Sequence, residues 1–187
     1  MWCRRLWKHI FLRNEKINRE KVVEMKSLLI VGAGQFGQLV KELAEIIGYE
    51  KIGFLDDYSE CAIGKIDDYR KFKDEYQEFI VAIGNPSVRR KIVEEFESCF
   101  KLANVIHPEA VISKSAQIGT GCVIEANAVI NTEAVIGKAC LINAGSVVNH
   151  NSKINDYCQI DCNAVVATSA VVPENTKVIS CTVWCEK

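Results

Sequence analysis

The sequence lacks an excess of charge, a long apolar run and a secretory signal. Its 23 Lys and Arg residues nearly balance 24 Asp and Glu residues, which leaves a net charge of −1 over 187 residues. This gives no electrostatic basis for binding nucleic acid or an anionic membrane. No apolar run approaches the roughly 20 residues that a membrane-spanning helix needs. We therefore expect neither nucleic-acid nor membrane partners.

The cysteines and the N-terminus indicate a reducing compartment. Nine cysteines are an odd number, and no apolar signal core precedes them, so we expect free thiols and a cytoplasmic location. The first 25 residues carry seven Lys or Arg against three Glu. Because a strand-like run begins almost directly after Met25, we expect residues 1–25 to be an extension, disordered or helical.

An internal repeat of six residues dominates the second half of the chain. Starting at residue 106, every sixth residue is aliphatic: Ile106, Ile112, Ile118, Ile124, Ile130, Ile136, Ile142, Val148, Ile154, Ile160, Val166, Val172 and Val178. The residue four positions further on is small each time: Ala110, Ala116, Cys122, Ala128, Ala134, Cys140, Ser146, Ser152, Cys158, Ala164, Ala170, Thr176 and Thr182. These columns predict a triangular solenoid with three hexapeptides per coil, aliphatic residues inside and small residues at the turns.

Three cysteines recur in that solenoid at a spacing of eighteen residues, so they stack on one edge. A metal site at Cys122, Cys140 and Cys158 is one interpretation. Alanine and serine occupy the same column, which favours the other interpretation, that these cysteines are small apolar residues. We expect no bound metal.

The first half begins with a phosphate-binding pattern. The run LLIVGAGQFG places an apolar strand directly before G-x-G-x-x-G, and a helical pattern follows. Gly32 allows the tight turn, Gly34 leaves the backbone bare for close approach of a ligand, and Gly37 lets the helix pack on the strand. The free N–H groups at the helix start favour phosphate.

Two further strands end in residues that suit a ligand. KIGFLDD ends at Asp56 and Asp57, and FIVAIG ends at Gly84, before an Asn85-Pro86 helix start. The three strand ends should converge on one crevice. Only about 75 residues separate Leu28 from the first hexapeptide, which is half of a dinucleotide fold. We therefore expect a mononucleotide-type ligand and no NAD.

The motifs GAGQFG, FLDD, IGKIDD, AIGNPSVRRKI and IHPEAVIS follow one another in order. In combination they resemble the sialic-acid O-acetyltransferase group of hexapeptide-repeat acyltransferases, which includes the UDP-4-amino-sugar N-acetyltransferases, over residues 26 to about 161. The resemblance implies an α/β plus β fold: a small Rossmann-like βαβα domain at 26–104 that binds a nucleotide-sugar, and a left-handed parallel β-helix acyltransferase domain at 105–187. It also implies acetyl-CoA as co-substrate, a homotrimer and a role in bacterial surface glycan biosynthesis.

The resemblance also implies roles for individual residues. The nucleotide-sugar would lie against Gly34, Gln35, Phe36, Asp56, Asp57 and Gly84. His150, in the segment VVNHNSKINDY, would be the general base, with Asn151 as its orienting neighbour and Gln159 in contact with acetyl-CoA. His150 is the third residue of its hexapeptide, with Thr132 one coil below and Thr168 one coil above.

Three departures from the family pattern define an alternative. Asn151 replaces the usual carboxylate, Gln159 replaces a histidine, and no glycine follows Gly145. The alternative function is a catalytically weak or inactive accessory subunit that binds a sugar nucleotide and has a shortened β-helix.

Overall fold

The computed structural model describes residues 25–187 and divides them into an α/β domain and a β-helix. In the α/β domain, four parallel strands form a sheet in the order β2-β1-β3-β4. Its elements are β1 Ser27–Val31, α1 Gln35–Ile46, β2 Lys51–Leu55, a 3₁₀ helix at Ile66–Phe72, β3 Glu78–Val81, α2 Pro86–Phe96 and β4 Lys101–Leu102.

Strand β1 lies inside the sheet, between β2 and β3, and both of its faces are buried. All five residues of SLLIV are buried, as expected for an inner strand of a parallel sheet. Helix α1 packs on the sheet through Val40, Leu43 and Ala44. Helix α2 begins where the Asn85 side chain accepts hydrogen bonds from the next turn. The three strands and two helices predicted from the sequence are all present, in the predicted order, and the structure adds the 3₁₀ helix and β4.

The β-helix contains fourteen two-residue strands, one every six residues. They are β5 Val105–Ile106, β6 Val111–Ile112, β7 Gln117–Ile118, β8 Val123–Ile124, β9 Val129–Ile130, β10 Val135–Ile136, β11 Leu141–Ile142, β12 Val147–Val148, β13 Lys153–Ile154, β14 Gln159–Ile160, β15 Val165–Val166, β16 Val171–Val172, β17 Lys177–Val178 and β18 Val183–Trp184. All pair in parallel with the strand one coil away, as in the left-handed β-helix predicted from the repeat.

Three sheets form the faces of the prism. Sheet 1 is β5-β8-β11-β14-β17, sheet 2 is β6-β9-β12-β15-β18, and sheet 3 is β7-β10-β13-β16. The thirteen aliphatic residues predicted to point inward all form one core cluster, and Trp184 packs against it as a fourteenth. The predicted core is therefore confirmed, and the repeat extends one strand further.

One left-handed residue per hexapeptide turns the chain at each corner. Backbone φ is positive at eleven successive positions six residues apart: Gly121, Asn127, Glu133, Ala139, Gly145, Asn151, Tyr157, Asn163, Ser169, Asn175 and Cys181. Asparagine holds four of these positions, because its short polar side chain tolerates this conformation better than most. Asn151 is one of these four asparagines. It therefore contributes to the turn of the chain, in addition to any role as the neighbour of His150.

The two domains share a core. The outward residues Val105, Val123 and Leu141 of sheet 1 are buried together with Leu28 and Ile30 of the α/β sheet. The α/β domain therefore covers sheet 1. A second contact is made at the corner between sheets 3 and 1, where Lys138 pairs with Glu97 at 2.7 Å.

The three stacked cysteines lie inside the β-helix as free thiols. The Cys122 thiol lies 3.2 Å from the Gly137 carbonyl oxygen, and the Cys158 thiol lies 2.9 Å from that of Pro173. Among residues 25–187, no three His, Cys, Asp or Glu side chains are grouped so as to hold a metal ion. The N-terminal extension expected at residues 1–25 falls almost entirely outside this range. Within the range, no helix is long and apolar enough to cross a bilayer.

The inward column should carry most of the stability of the β-helix. Ile142 is fully buried at its centre, whereas Ile179 is 65% exposed on the outside. We expect Ile142→Ala to lower the free energy of unfolding by about 2–5 kcal/mol, because it leaves a cavity. The matched control Ile179→Ala should stay within about 0.5 kcal/mol. Urea unfolding of both variants measures this, and equal effects would contradict the assigned core.

Candidate functional site

The glycine turn between β1 and α1 has the geometry that its sequence predicts. Gly32 has φ +101°, which a side chain would disfavour. A Cβ on Gly37 would lie 2.0 Å from the Gly32 carbonyl oxygen, so helix and turn touch here. A Cβ on Gly34 would meet nothing within 4 Å. The backbone at Gly34 is thus open to a ligand, and the exposed Gln35 follows it at the helix start.

The carboxylate of Asp56 organises this turn from the end of β2. It accepts hydrogen bonds from the N–H groups of Ala33 at 2.8 Å, Tyr58 at 2.9 Å and Ser59 at 3.0 Å. The bond from Ala33, followed by that from Tyr58, lowers the pKa of Asp56. The Asp56 carboxylate therefore stays ionised and locks the glycine turn to the neighbouring loop.

Two other predicted ligand residues also have structural contacts. The exposed Asp57 accepts a hydrogen bond from the N–H of Ile66 at 3.1 Å, which fixes the start of the 3₁₀ helix. Phe36 is half-buried and packs against the core shared by the two domains. Substrate binding by these two residues stays a prediction.

The third side of the crevice is the turn at Gly84, which a buried arginine holds from behind. Arg89 on α2 is fully buried. Its guanidinium donates to the carbonyls of Ile83 and Gly84 at 2.8 and 2.9 Å, and to those of Ala139 and Tyr157 at 2.8 and 2.5 Å. A weaker bond reaches Cys158 at 3.4 Å, and burial lowers the pKa of the arginine. One side chain thus joins the crevice to two β-helix turns.

Gln159, the predicted acetyl-CoA contact, lies on sheet 1 next to this turn. Its Oε1 would be 3.7 Å from a Cβ on Gly84. The structure therefore brings Gln159 and Gly84 of the same chain together, and acetyl-CoA binding by Gln159 stays a prediction.

A polar column runs beside Gln159 on the same face. The Glu125 carboxylate accepts from the N–H of Ala144 at 3.0 Å, and burial raises its pKa. The Asn143 amide donates to Asp161 at 3.3 Å, while its Oδ1 is buried without a partner among the described residues. Lys177 pairs with Asp161 at 3.1 Å. These residues add buried acceptor oxygens to sheet 1.

His150 lies on an exposed corner, and its ring is held at both nitrogens. Nδ1 is 3.0 Å from Asn151 Oδ1, and Nε2 is 3.2 Å from Thr168 Oγ1. Both contacts fit the tautomer in which Nδ1–H donates to the amide oxygen and Nε2 accepts from the hydroxyl. The Thr168 backbone N–H makes no hydrogen bond within residues 25–187. The Nε2 lone pair therefore faces the Thr168 hydroxyl, and the backbone N–H of the same threonine has no partner within this range.

The crevice and His150 of one chain are on different sides of the prism. The α/β domain covers sheet 1 and reaches the corner between sheets 3 and 1. His150 follows β12 of sheet 2 and precedes β13 of sheet 3. The corner between sheets 2 and 3 is the one prism edge that does not border sheet 1. Within one chain, the crevice and the imidazole therefore do not face each other.

The residue patterns did not predict the contacts of Arg89 or the polar column. For Arg89 a signal existed, since it shares the inward stripe of α2 with Ile92, Val93 and Phe96. Thr168 lies eighteen residues after His150, so the repeat stacks the two, but the rotamer that joins them cannot be read from spacing.

The fold and the site define a protein with a nucleotide-binding α/β domain and a hexapeptide-repeat β-helix of the acyltransferase type. Residues 27–96 match the model of the PglD N-terminal domain. UDP-N-acetylbacillosamine N-acetyltransferase of Bacillus subtilis (strain 168) is 34% identical over 113 residues, which cover 54% of this chain and 52% of that protein. The chain thus spans about half the length of this curated relative.

Solved structures match over more of the chain. The acetyltransferase domain of PglB from Neisseria gonorrhoeae FA1090 is 29% identical with a TM-score of 0.80, covering 84% of this chain and 82% of that one. The same domain in complex with acetyl coenzyme A has a TM-score of 0.73 at 29% identity, covering 84% of this chain and 92% of that one. The chain is therefore similar to sugar N-acetyltransferases of the hexapeptide-repeat type, which confirms the resemblance stated from the sequence.

Two glycines of the turn should respond differently to alanine. Gly37→Ala should lower the free energy of unfolding by about 1–3 kcal/mol, because the clash with the Gly32 carbonyl outweighs the gain in helix propensity. Gly34→Ala should stay within about 0.5 kcal/mol, since its Cβ enters open space. Thermal unfolding of the two variants measures this. A destabilised Gly34→Ala would mean that the space in front of the turn is filled by the protein itself.

Proposed function

We propose that this protein transfers the acetyl group of acetyl-CoA to the amine of a nucleotide-linked amino sugar, with His150 as general base. The observation that carries the proposal is the imidazole held between Asn151 and Thr168 on an open corner. The name of the Bacillus subtilis relative supports an amino sugar and N-acetylation, and that of the PglB domain supports acetyl transfer. The open Gly34 backbone at a helix start supports a nucleotide in the crevice.

The chemistry follows from the two ring contacts. With Nδ1–H donating to Asn151, Nε2 keeps the lone pair that a base needs. The sugar amine displaces the Thr168 hydroxyl from Nε2 and attacks the thioester carbonyl. A C–N bond forms and the C–S bond breaks, while the amine proton passes to Nε2 and then to the departing CoA thiolate. In this proposal the N–H of Thr168, which has no partner within residues 25–187, stabilises the oxyanion of the tetrahedral intermediate.

The active site, in this proposal, is completed by a second copy of the chain. Five valines stack outward on sheet 2: Val111, Val129, Val147, Val165 and Val183. The terminal two are 61% and 66% exposed. This apolar stripe runs alongside the corner that carries His150, with its middle member Val147 in the strand just before that corner, so a copy that covers the stripe lies next to the imidazole. A homotrimer, as the family resemblance implies, would repeat the contact in a closed ring.

Removing the base should abolish turnover without removing nucleotide binding. We expect His150→Ala to lower kcat for thiol release about 10²–10⁴-fold, measured with acetyl-CoA and a panel of UDP- and CMP-amino sugars. His107→Ala is the matched control, because the His107 ring only accepts a hydrogen bond from the N–H of Glu109. It should keep its activity.

If the His150→Ala variant kept its activity, His150 would not be the general base. If the wild-type chain binds the sugar nucleotides but releases no thiol, the accessory-subunit alternative is correct. Asn151, which supplies no charge to the imidazole, would then have replaced a carboxylate that turnover needs.

Mixed oligomers test whether the site forms between copies. Gly34→Val should block the crevice, and His150→Ala removes the base, so each variant alone should be inactive. If neighbouring copies contribute one element each, random reassembly of equal amounts restores about a quarter of the sites. Activity should therefore reappear on mixing after dissociation. No recovery, or a wild-type chain that light scattering shows to be monomeric, would contradict the shared site.

A further inference from the structure

We infer that Arg89 is a positioning residue that sets the nucleotide-binding face of the Gly84 turn and fixes it to the β-helix. The inference rests on the proposed function and assigns the residue that keeps the two parts of the site in register. It starts from one observation: a fully buried guanidinium with five carbonyl partners and no carboxylate partner among the described residues.

The first consequence concerns two peptide planes. The carbonyls of Ile83 and Gly84 both point to Nη1 of Arg89. Because these peptides are trans and planar, their N–H groups, which belong to Gly84 and Asn85, point in the opposite direction. Gly84 and Asn85 are exposed, and neither N–H has a partner within residues 25–187. Arg89 therefore presents two adjacent donors on the open side of the turn.

Two neighbouring N–H donors select an acceptor-rich ligand. Phosphate oxygens and base carbonyls of a nucleotide both have this chemistry. The Asn85 side chain is not a competitor for them, because its Oδ1 already accepts from Ser87 and Val88 at 3.0 and 3.2 Å. The donors lie at the end of β3, beside the glycine turn at the end of β1, so one nucleotide can reach both.

The second consequence concerns the β-helix. The remaining contacts of Arg89 go to the carbonyls of Ala139 and Tyr157, which are left-handed corner residues of successive coils. These carbonyls are fixed by the stacking of the coils. The Gly84 turn is therefore held relative to sheet 1 and Gln159, rather than only to its own sheet. A change at Arg89 should disturb the crevice while leaving the opposite corner at His150 intact.

Arg89→Lys tests this, with Arg90→Lys as the matched control. Arg90 reaches the same β-helix corner, where it pairs with Glu174 and lies 4.6 Å over the Tyr157 ring, but it does not touch the Gly84 turn. A lysine at position 89 keeps the charge but has three donors and no planar fork, so it cannot orient all the carbonyls. Arg89→Met serves as the variant without donors and is expected to lose more.

The measurement is UDP binding by calorimetry, together with KM for both substrates. We expect Arg89→Lys to weaken UDP binding and raise KM for the sugar nucleotide at least about tenfold, while KM for acetyl-CoA stays within about twofold. Arg89→Met should bind UDP more weakly still, or fail to fold, and Arg90→Lys should bind as the wild type does. If Arg89→Lys lowers the melting temperature but binds UDP normally, or alters both KM values equally, Arg89 is only a structural residue.

Hydrogen exchange separates this inference from the proposed function. Arg89→Lys should exchange faster than Arg90→Lys in the segments 82–89 and 157–159. If the wild type binds UDP but releases no thiol, the transferase activity fails while the binding comparison still decides the role of Arg89. If it binds no UDP, the nucleotide site fails as well. Equal exchange in the two variants would then overturn the positioning role.

Discussion

The constraint on which the structure depends is the closure of each coil at eighteen residues. It requires an aliphatic residue that fills the prism and, six residues apart, a backbone that turns through the left-handed region. Once these two conditions hold, residues eighteen apart must stack. The stacking places Thr168 over His150 and aligns the five valines of sheet 2. The contact between His150 and Thr168, on which the proposed chemistry depends, is therefore a consequence of the same period that forms the core.

A second constraint is the polar junction between the domains. Hydrophobic contact alone, between β1 and the outward residues of sheet 1, would allow the α/β domain to slide along a ladder of similar coils. The Arg89 guanidinium removes that freedom, because it is hydrogen-bonded to the carbonyls of Ala139 and Tyr157 on two particular coils. Burying an uncompensated charge is costly, and five carbonyl partners offset part of that cost. The cost is consistent with a need for one register rather than for stability alone.

Much of this could be predicted from the sequence, and the reason is periodicity. Two columns of period six define the β-helix residue by residue, and G-x-G-x-x-G after an apolar run defines the first turn, including the contact at Gly37. What spacing does not encode is the direction of individual side chains. The ionised oxygens of Asp56 hold backbone N–H groups, although its position at a strand end suggested a ligand contact. Likewise, a polar arginine in the apolar stripe of α2 was read as part of a motif rather than as the joint between domains.

The arrangement of the crevice and the base has a consequence for how such a protein can act. A β-helix is rigid, since its strands pair in parallel with those of the neighbouring coils, so no hinge can bring the corner at His150 round to sheet 1 of the same chain. In the proposed function, the missing contact must come from another copy. The position of that second copy is then set by the packing of two rigid β-helices along the five valines of sheet 2. In this proposal, assembly places the His150 base of one copy opposite the crevice of another. Arg89 holds the Gly84 turn of that crevice in a fixed position on its own β-helix.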